Sequence, residues 1–364
     1  MKVAVVIDTW FPFIGGGQIN TWEISKRLSQ KGILIDIVTR NNGQNNLRLP
    51  KNLKVFKLGD KRDSKDLISK IMFPIKAYFF LLKRQYDLVH AHAFLPGITA
   101  KLLMLTKNIP AVFTIHGTSI NTDLNNLIYR FIERFILTKI QYSAQITVSQ
   151  DFLKIKNVNE KVIYIPNGVD VDRFDKVEVE KLKNFTLIFV GRLHPQKNLP
   201  TLIKSIDLVR NDIPNVKLII VGTGMQKQLL LDLVKNLRLK KNIKMVGEVK
   251  GRDLISLYKS CHIFILPSIY EGQPLALFEA WASKLPVITT KVGDCQYLVK
   301  KDINGYLIND TNSKAEIAKV VRKALENKNL EKLGNSGYNL VKQSFSWDKS
   351  AQKTLEAYRN AVKS

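Results

Sequence analysis

The segment Ile263–Thr290, with the sequence IFILPSIYEGQPLALFEAWASKLPVITT, carries the pattern that decides the fold. An apolar run at 262–266 is followed by a polar loop, a segment with helical periodicity at 273–283, and a second apolar run at 286–289. Apolar runs without polar alternation are typical of parallel strands that helices cover on both faces. The segment therefore predicts a strand–helix–strand unit of an α/β protein.

The same alternation of short apolar runs and longer amphipathic segments continues through the whole chain. The apolar runs predict thirteen strands, at 2–7, 33–38, 53–58, 87–91, 111–115, 145–148, 161–165, 186–190, 216–221, 243–246, 262–266, 286–289 and 305–308. Helical periodicity predicts ten helices, at 17–31, 64–84, 95–106, 124–141, 198–210, 225–238, 251–260, 273–283, 313–326 and 347–361.

The alternation begins twice, at 2–7 and at 186–190, and a charged, strand-poor segment near residue 170 separates the two series. We therefore predict two doubly wound, Rossmann-like domains, residues 1–168 and 169–345. A last helix within 346–364 is expected to pack back toward the first domain. Ligands of such sheets bind beyond the carboxyl ends of the strands, so two facing sheets would place a substrate cleft between the domains.

The composition is that of an ordinary globular chain. Of 364 residues, 45% are hydrophobic and 24% are charged, which excludes disordered and collagen-like classes. Cys261 and Cys295 are too few for a disulfide framework, and we expect reduced core thiols. Met1–Asp8 is typical of a buried strand rather than a signal peptide, and no stretch approaches the roughly 18 apolar residues of a membrane span. We expect a cytoplasmic protein that contacts a membrane only at its surface.

The net charge is the unusual feature of the composition. The chain has 57 Lys and Arg against 31 Asp and Glu, which gives a formal charge of +26. A balance this basic indicates an anionic partner, which could be nucleic acid, membrane phosphate or an anionic small molecule. The total does not choose among these three.

Glycines and cations stand where several predicted strands end. Gly15–Gly17 and the pair Gly222 and Gly224 each follow a strand, where a ligand could approach backbone N–H groups, although neither spacing fits the dinucleotide fingerprint. Arg192 and Lys197 follow the strand 186–190, and a guanidinium fork with an ammonium suits a diphosphate. The alternatives are tight turns for the glycines and a solvated loop for the two cations.

Two glutamates follow the strand at 262–266. Glu271 is expected in the loop and Glu279 inside the next helix, and eight helical residues would rise about 12 Å. Paired carboxylates of a glycosidase lie roughly 5–9.5 Å apart. The spacing therefore favours a ligand that spans two sites over one acid–base pair. Backbone N–H groups from Gln273 to Ala276 could then receive an anion.

The histidines and one aspartate pair have competing interpretations. His116 closes the strand 111–115 and is expected to point into the cleft, although a histidine at a strand end is often structural. His90 and His92 lie on one side of their strand, but a metal site would need a third ligand. Asp170 and Asp172 have the spacing of a metal-binding pair, yet they fall in the interdomain segment, which disfavours that role.

Taken in order along the chain, these motifs resemble the retaining family 4 glycosyltransferases (glycosyl transferases group 1), which have the GT-B fold. The resemblance covers nearly the whole chain. It rests on Gly15–Gly17, His116-Gly117, Val148-Ser149, Pro166-Asn167-Gly168-Val169-Asp170, Gly191-Arg192-Leu193, Gly222-Thr223-Gly224, and Glu271 with Glu279. It implies two Rossmann-like domains that face a central cleft, the first for the acceptor and the second for a nucleotide-sugar.

The resemblance also implies a role for each site residue. Glu279 would accept the ribose hydroxyls, Arg192 and Lys197 would hold the diphosphate, and Glu271 would contact hydroxyls of the donor sugar. The implied catalytic positions are His116, Arg192, Lys197 and Glu271. The implied donor-binding positions are Gly15, Gly16, Gly17, Arg192, Lys197, Gly222, Gly224, Glu271, Gln273, Pro274, Leu275 and Glu279.

Several positions depart from the family pattern and leave the donor unassigned: Asn198, Gln273-Pro274, Lys284 and Gly293-Asp294. The resemblance implies retention of anomeric configuration, with departure and attack on one face of the sugar. It also implies that no metal and no cofactor are needed, because fixed cations and helix N-termini stabilise the leaving diphosphate.

Basic residues are concentrated in one stretch of the first half. Residues 48–84 hold eleven basic and three acidic residues, a net charge of +8, together with many apolar side chains. This composition predicts a segment that lies on an anionic membrane, and the alternative is an amphipathic helix packed on the sheet. A weaker candidate is Asn125–Gln141. The proposed membrane or acceptor face contains Lys61, Arg62, Lys65, Lys70 and Lys76.

The expected function is transfer of a hexose from a nucleoside-diphosphate sugar to a glycan or lipid-linked acceptor, at the cytoplasmic face of the membrane. One alternative is another GT-B activity, such as a sugar-nucleotide epimerase. The other is a basic nucleic-acid-binding protein, which is disfavoured because no aromatic residues interleave with the cations in a recognisable module.

Overall fold

The computed structural model describes residues 1–43, 47–61, 66–116, 134–154 and 162–363. The chain divides into two compact units. Unit 1 contains Met1–Asn167 together with Trp347–Ser364, and unit 2 contains Gly168–Ser346.

Unit 1 is built on a parallel sheet of seven strands in the order β3-β2-β1-β4-β5-β6-β7. The strands are β1 (Lys2–Ile7), β2 (Leu34–Arg40), β3 (Leu53–Leu58), β4 (Leu88–His92), β5 (Ala111–Ile115), β6 (Ala144–Thr147) and β7 (Val162–Tyr164). Its first helices are α1 (Gly16–Gln30), α2 (Leu67–Leu82) and α3 (Phe94–Lys107). Strand β1 pairs in parallel with both β2 and β4, so the strand order reverses at the carboxyl end of β1.

Unit 2 is built on a parallel sheet of six strands in the order β10-β9-β8-β11-β12-β13. These are β8 (Thr186–Val190), β9 (Lys217–Val221), β10 (Ile243–Gly247), β11 (Ile263–Leu266), β12 (Val287–Thr290) and β13 (Gly305–Ile308). The helices are α4 (Val171–Asp175), α5 (Leu199–Val209), α6 (Lys227–Asn236), α7 (Gly251–Ser260), α8 (Leu275–Ala282), α9 (Cys295–Leu298), α10 (Lys314–Leu325) and α11 (Leu330–Ser344). Its core strands are buried on both faces, which explains their continuous apolar sequences.

The last helix, α12 (Trp347–Lys363), belongs to unit 1 and packs on α1. Arg27 of α1 pairs with Asp348 at 3.1 Å. The hydroxyl of Tyr358 lies 2.6 Å from Nδ1 of His90 on strand β4. The end of the chain is thereby fixed to the same sheet as its beginning.

The two parallel, doubly wound sheets confirm the predicted fold class. All thirteen predicted strands are present, and their ends agree within two residues with the prediction. The predicted helix 124–141 lies largely outside the described residues. Helix α8 begins at Leu275, so the prediction that Gln273 is helical was wrong. Gln273 precedes Pro274, and the proline ring disfavours the helical conformation of the residue before it.

Sequence periodicity missed helix α11, and two glycines account for this. Gly334 and Gly337 lower the helix propensity of the segment. In the fold, a Cβ at Gly334 would lie 2.0 Å from the carbonyl oxygen of Lys284, and one at Gly337 would lie 2.0 Å from Cδ1 of Trp281. The two glycines that weaken the helix are therefore the residues that allow it to pack closely on Trp281 and Lys284.

Two smaller features concern membranes and thiols. In the described part of the chain, no helix is both long enough and apolar enough to cross a membrane. Cys261 and Cys295 are buried free thiols, and burial raises the pKa of each to about 12.

Candidate functional site

Four loops of unit 2 meet at the carboxyl edge of its sheet. They follow β9, β8, β11 and β12, which are neighbours in that order. Nearly all the candidate donor-binding residues of unit 2 lie in these loops, because the carboxyl ends of parallel strands share one edge. The exceptions are Leu275 and Glu279, which lie in helix α8.

Glycines allow two of these loops to pack backbone against backbone. Gly222 has φ of +136°, and a Cβ there would lie 1.9 Å from the carbonyl oxygen of Gly191. A Cβ at Gly224 would lie 2.3 Å from the carbonyl oxygen of Leu193, whose N–H donates to Thr223 at 2.9 Å. These glycines are therefore required to build the edge, whether or not a ligand touches them.

Lys197 and Glu271, 74 residues apart in sequence, form an ion pair at this edge. The Nζ of Lys197 donates to Oε1 of Glu271, and only 12% and 7% of the two side chains are exposed. Gln196 fixes the two loops together: its Nε2 donates to the carbonyl oxygen of Tyr270 at 2.9 Å. Its own carbonyl oxygen accepts from the N–H of Ile269 at 2.8 Å. The structure thus places two of the predicted catalytic residues in contact.

Arg192 gives this edge an excess of positive charge. Its side chain is exposed, and across the described ranges no carboxylate pairs with its guanidinium. The pKa of His194 in the same loop is lowered, first by burial and then by the charges of Arg192 and Lys197. The loop after β8 is therefore suited to an anion.

The loop that carries Glu271 rests on the loop after β12. Gly293 has φ of +50°, and a Cβ there would lie 2.3 Å from the carbonyl oxygen of Glu271. Asp294 donates its N–H to Gly272 at 2.8 Å and accepts from Nε2 of Gln273 at 2.6 Å. Gln273 is buried, so this amide supports the loop, and a ligand contact at Gln273 would come from its backbone. The helix that follows has Pro274 as N-cap, without a side-chain hydrogen bond at that end.

Glu279 lies in a different environment from Glu271. Its Oε2 accepts a hydrogen bond of 3.0 Å from the hydroxyl of Tyr258 on α7. Burial raises the pKa of Glu279 to about 7, against the opposing effects of that hydrogen bond and of the Arg173 charge. Tyr258 was not predicted, because no sequence pattern singles it out and its position follows from the packing of α7 on α8.

In unit 1, the predicted glycine loop and His116 are brought together. Helix α1 begins at Gly16, with Gly15 as its extended N-cap. A Cβ at Gly17 would lie 3.2 Å from Cδ2 of His116, so glycine leaves room for the imidazole. Gly117 lies outside the described residues.

Two further histidines, His90 and His92, are buried on strand β4 near His116. Nε2 of His116 lies 2.9 Å from Nδ1 of His92. The ring nitrogens of His90 are joined to the hydroxyls of Tyr358 and Thr114 at 2.6 and 2.7 Å. Burial lowers the pKa of His116 to about 4 and that of His90 to about 3, and it lowers the pKa of His92 well below the usual value. All three rings are therefore neutral near pH 7.

His90, His92, Asp170 and Asp172 are the residues whose spacing could suggest a metal. Both nitrogens of His90 are hydrogen-bonded. Asp170 is the N-cap of α4, and Asp172 lies in its first turn. Within the residues described, no group of three or more His, Cys, Asp or Glu is arranged to hold a metal ion.

The basic segment includes helix α2, which combines cations with exposed apolar side chains. Lys61 and Lys76 are exposed and Lys70 is partly so, while Arg62 and Lys65 lie outside the described residues. We call the apolar face of α2 the α2 ridge; it consists of Ile68, Ile71, Met72, Ile75 and Phe79.

Comparisons with known proteins agree with this architecture. Residues 170–340 match the family model described as glycosyl transferases group 1, and residues 14–173 match that of glycosyltransferase family 4. The UDP-Gal:alpha-D-GlcNAc-diphosphoundecaprenol alpha-1,3-galactosyltransferase of Escherichia coli is 26% identical over 381 residues, covering 99% of this chain and 98% of the relative.

Solved structures show the same fold. Sucrose-phosphate synthase from Thermosynechococcus elongatus superposes with a TM-score of 0.85 at 20% identity, over 98% of each chain. HepE from Anabaena, in complex with UDP-glucose, gives a TM-score of 0.80 at 18% identity, also over 98% of each chain.

The two matched ranges together run from residue 14 to residue 340. The chain therefore belongs to the family 4 glycosyltransferases (glycosyl transferases group 1), has their GT-B fold, and is a glycosyltransferase.

Proposed function

We propose that the protein transfers a hexose from a nucleoside-diphosphate sugar to a glycan or lipid-linked acceptor at the cytoplasmic face of the membrane. The transfer retains the anomeric configuration and uses no bound metal. The observation that carries the donor assignment is the loop after β8 in unit 2, which holds both the exposed Arg192 and Lys197, the ion-pair partner of Glu271. Two relatives support it: a UDP-Gal-dependent transferase by its name, and HepE by its bound UDP-glucose.

Arg192 and Lys197 are proposed to hold the diphosphate. An ammonium has three donors, so Lys197 can keep Glu271 and still reach a phosphate oxygen. As the bond to the sugar breaks, negative charge grows on the leaving diphosphate, and the two cations stabilise it without reorganisation. Fixed cations in these positions supply the charge that a metal provides in other transferases.

Glu271 is proposed to accept hydrogen bonds from the donor sugar rather than to attack it. Its Oε1 accepts a charge-assisted hydrogen bond from Lys197, which makes the carboxylate less available for attack on the sugar. This favours departure and attack on one face of the sugar, as the family resemblance implies. Glu279 is proposed to accept the ribose hydroxyls, and His116 to contact the sugar or its phosphate as a neutral donor.

The membrane assignment is supported by the α2 ridge together with Lys61, Lys70 and Lys76. Lys70 and Lys76 lie on α2 with the ridge, and Lys61 precedes the helix. Basic and apolar side chains on one helix are typical of a surface that lies in an anionic interface. The Escherichia coli relative acts, by its name, on a diphosphoundecaprenol-linked sugar.

A panel of nucleotide-sugars tests the donor assignment by thermal shift. A donor at about 100 times its Kd should stabilise the wild type by about 2.7 kcal/mol. Arg192→Ala and Glu279→Ala should lose most of this shift, whereas Arg252→Ala, an exposed arginine of the same unit, should keep it. Product NMR would then report the anomeric configuration, and activity should persist in EDTA. Stabilisation by no nucleotide-sugar and no nucleoside diphosphate would refute the proposal.

A further inference from the structure

The turns after β2 and β3 are joined at the carboxyl edge of the sheet in unit 1. The backbone N–H of Asn41 donates to the carbonyl oxygen of Leu58 at 3.1 Å, and its side-chain Nδ2 donates to that of Gly59 at 3.2 Å. Gly43 and Gly59 have φ of +111° and +80°. These left-handed glycines carry no side chain, so long side chains from elsewhere can lie directly on the backbone of both turns.

Three lysine side chains lie against these two turns: Lys57, Lys61 and Lys76. We call them the lysine cluster. Nζ of Lys57 donates to the carbonyl oxygen of Gly43, and Cε of Lys61 lies 3.7 Å from the position of a Cβ at Gly43. Nζ of Lys76, which comes from α2, lies 3.3 Å from the position of a Cβ at Gly59. The fold thus brings three ammonium-bearing side chains to two adjoining turns.

The lysine cluster brings three positive charges to one edge of the sheet in unit 1. Within the described ranges no carboxylate forms an ion pair with any of its three ammonium groups. Arg40, buried at the end of β2, is different: it lies 3.8 Å from the Asp8 carboxylate and donates to the Asp8 carbonyl at 2.9 Å. Asp60 is exposed in the same turn. Like charges held close together repel, and a multivalent anion among them would remove that cost.

An apolar surface begins beside Lys76. Met72, Ile75 and Phe79 lie four residues before, one before and three after it on α2, and they are 41%, 47% and 56% exposed. If Lys76 binds the phosphate of a lipid, the alkyl chain of that lipid would therefore lie next to this apolar surface.

We propose that the lysine cluster binds the phosphate or diphosphate of a lipid acceptor, whose hydrocarbon chain lies along the α2 ridge. The inference rests on the proposed transfer to a lipid-linked acceptor and identifies where the anionic link of that acceptor sits. The same phosphate chemistry could be offered by bulk anionic phospholipid or by the donor, and the experiment separates these sources.

The test is co-sedimentation of the full chain with two sets of phosphatidylcholine vesicles. One set contains a polyprenyl diphosphate, and the other contains phosphatidylserine at matched surface charge. The site variant is Lys57→Gln/Lys61→Gln/Lys76→Gln. The control variant, Lys51→Gln/Lys54→Gln/Lys353→Gln, removes the same charge from exposed positions of unit 1. A single-residue series of the three cluster lysines shows whether each contributes.

The site variant should bind diphosphate vesicles at least about tenfold more weakly than the control, while both bind phosphatidylserine vesicles alike. Equal loss in the two variants on the diphosphate vesicles would overturn the proposal and leave general membrane charge as the cause of binding. Loss of the nucleoside-diphosphate thermal shift in the site variant would also overturn it, because the cluster would then serve the donor. Wild-type protein that binds diphosphate vesicles but no nucleotide-sugar would refute the proposed donor chemistry alone.

Discussion

Burial and the hydrogen bond from Tyr258 together set the pH range in which Glu279 is ionised. Its pKa is raised to about 7 by burial, and the Tyr258 hydroxyl opposes that rise. If Glu279 binds ribose hydroxyls as a carboxylate, nucleotide affinity should increase as pH rises through about 7. Tyr258→Phe removes the donor, so the pKa of Glu279 rises further and the midpoint of that pH profile moves upward. Isothermal titration with a nucleoside diphosphate from pH 5.5 to 9 measures the midpoint.

Tyr338→Phe is the matched control, because this hydroxyl donates to Asp175 and leaves Glu279 untouched. An identical midpoint in wild type and Tyr258→Phe would contradict the prediction. Stability offers a second readout. An acid whose pKa is higher in the folded than in the unfolded state favours folding below its unfolded pKa, and that contribution is lost as pH rises through about 7.

The sequence located these residues but not their pairings. Strand ends and the family resemblance named Glu271, Lys197 and Glu279, because each stands at a fixed place after a strand. The contacts of Lys197 with Glu271 and of Glu279 with Tyr258 depend on loops and helices far apart in the chain. No local pattern records which long side chains will meet across a sheet edge.

His92 is predicted to set the tautomer of His116. One proton lies between Nδ1 of His92 and Nε2 of His116, and the other nitrogen of His116 takes the complementary role. His92→Asn keeps a polar atom near the position of Nδ1, whereas His92→Phe removes it. Long-range ¹H–¹⁵N spectra of the five histidines should show one tautomer of His116 in the wild type and in His92→Asn, and a changed tautomer in His92→Phe. Unchanged His116 shifts in His92→Phe would show that the hydrogen bond has no such role.

Lys284 occupies a left-handed position that favours glycine. Its φ is +58°, a conformation that costs a non-glycine residue about 1–2 kcal/mol. Lys284→Gly should therefore stabilise unit 2 by about 0.5–1 kcal/mol, after loss of the contact between Nζ and the Tyr338 ring at 5.0 Å. The melting temperature should rise by about 1–4 °C. Lys284→Ala keeps the strain and loses the contact, so it should not melt above the wild type; a higher midpoint for Lys284→Ala would contradict this account.

Helices and strands were predictable to different degrees. Strands of the two sheets are buried on both faces, so each appears as an unbroken apolar run, and even the three-residue β7 was predicted. Helix α11 was missed because glycines and polar residues blur its periodicity. Its stability comes from packing on Trp281 and on the carbonyl of Lys284, which the sequence of the helix alone cannot show.

In helix α11, packing and helix propensity predict opposite changes in stability for a glycine to alanine substitution. In an unhindered helix, glycine to alanine stabilises by about 1 kcal/mol. At Gly337 the new Cβ would meet Trp281, a fully buried ring whose Nε1 donates to the carbonyl of Asn304 at 3.2 Å. Gly337→Ala should instead destabilise by about 1–3 kcal/mol, measured by denaturant unfolding. The control is Asn339→Ala, at an exposed position of the same helix, which should be neutral or slightly stabilising. Stabilisation by Gly337→Ala would show that α11 does not pack as described.

At the scale of the whole molecule, the net charge of +26 divides into two local groups of cations and a diffuse remainder. Arg192 and Lys197 stand at the edge of unit 2, the lysine cluster stands at the edge of unit 1, and the remaining excess is spread over both halves. A diffuse charge would attract any anionic surface with no preferred face, whereas the α2 ridge together with Lys70 and Lys76 would give one face both charge and apolar contact.

If the protein binds membranes as proposed, salt dependence distinguishes attraction by diffuse charge from insertion of the α2 ridge. Charge alone is screened, so binding to phosphatidylserine vesicles that depends only on +26 should disappear between about 0.1 and 0.5 M salt. If the α2 ridge inserts, part of the binding should persist at high salt, and Ile71→Ser/Phe79→Ser should remove that part. Leu229→Ser/Leu231→Ser removes two exposed apolar side chains from unit 2 and should leave it intact. Equal high-salt binding in both double variants would mean that the ridge does not insert, and the basic segment would then act through charge alone.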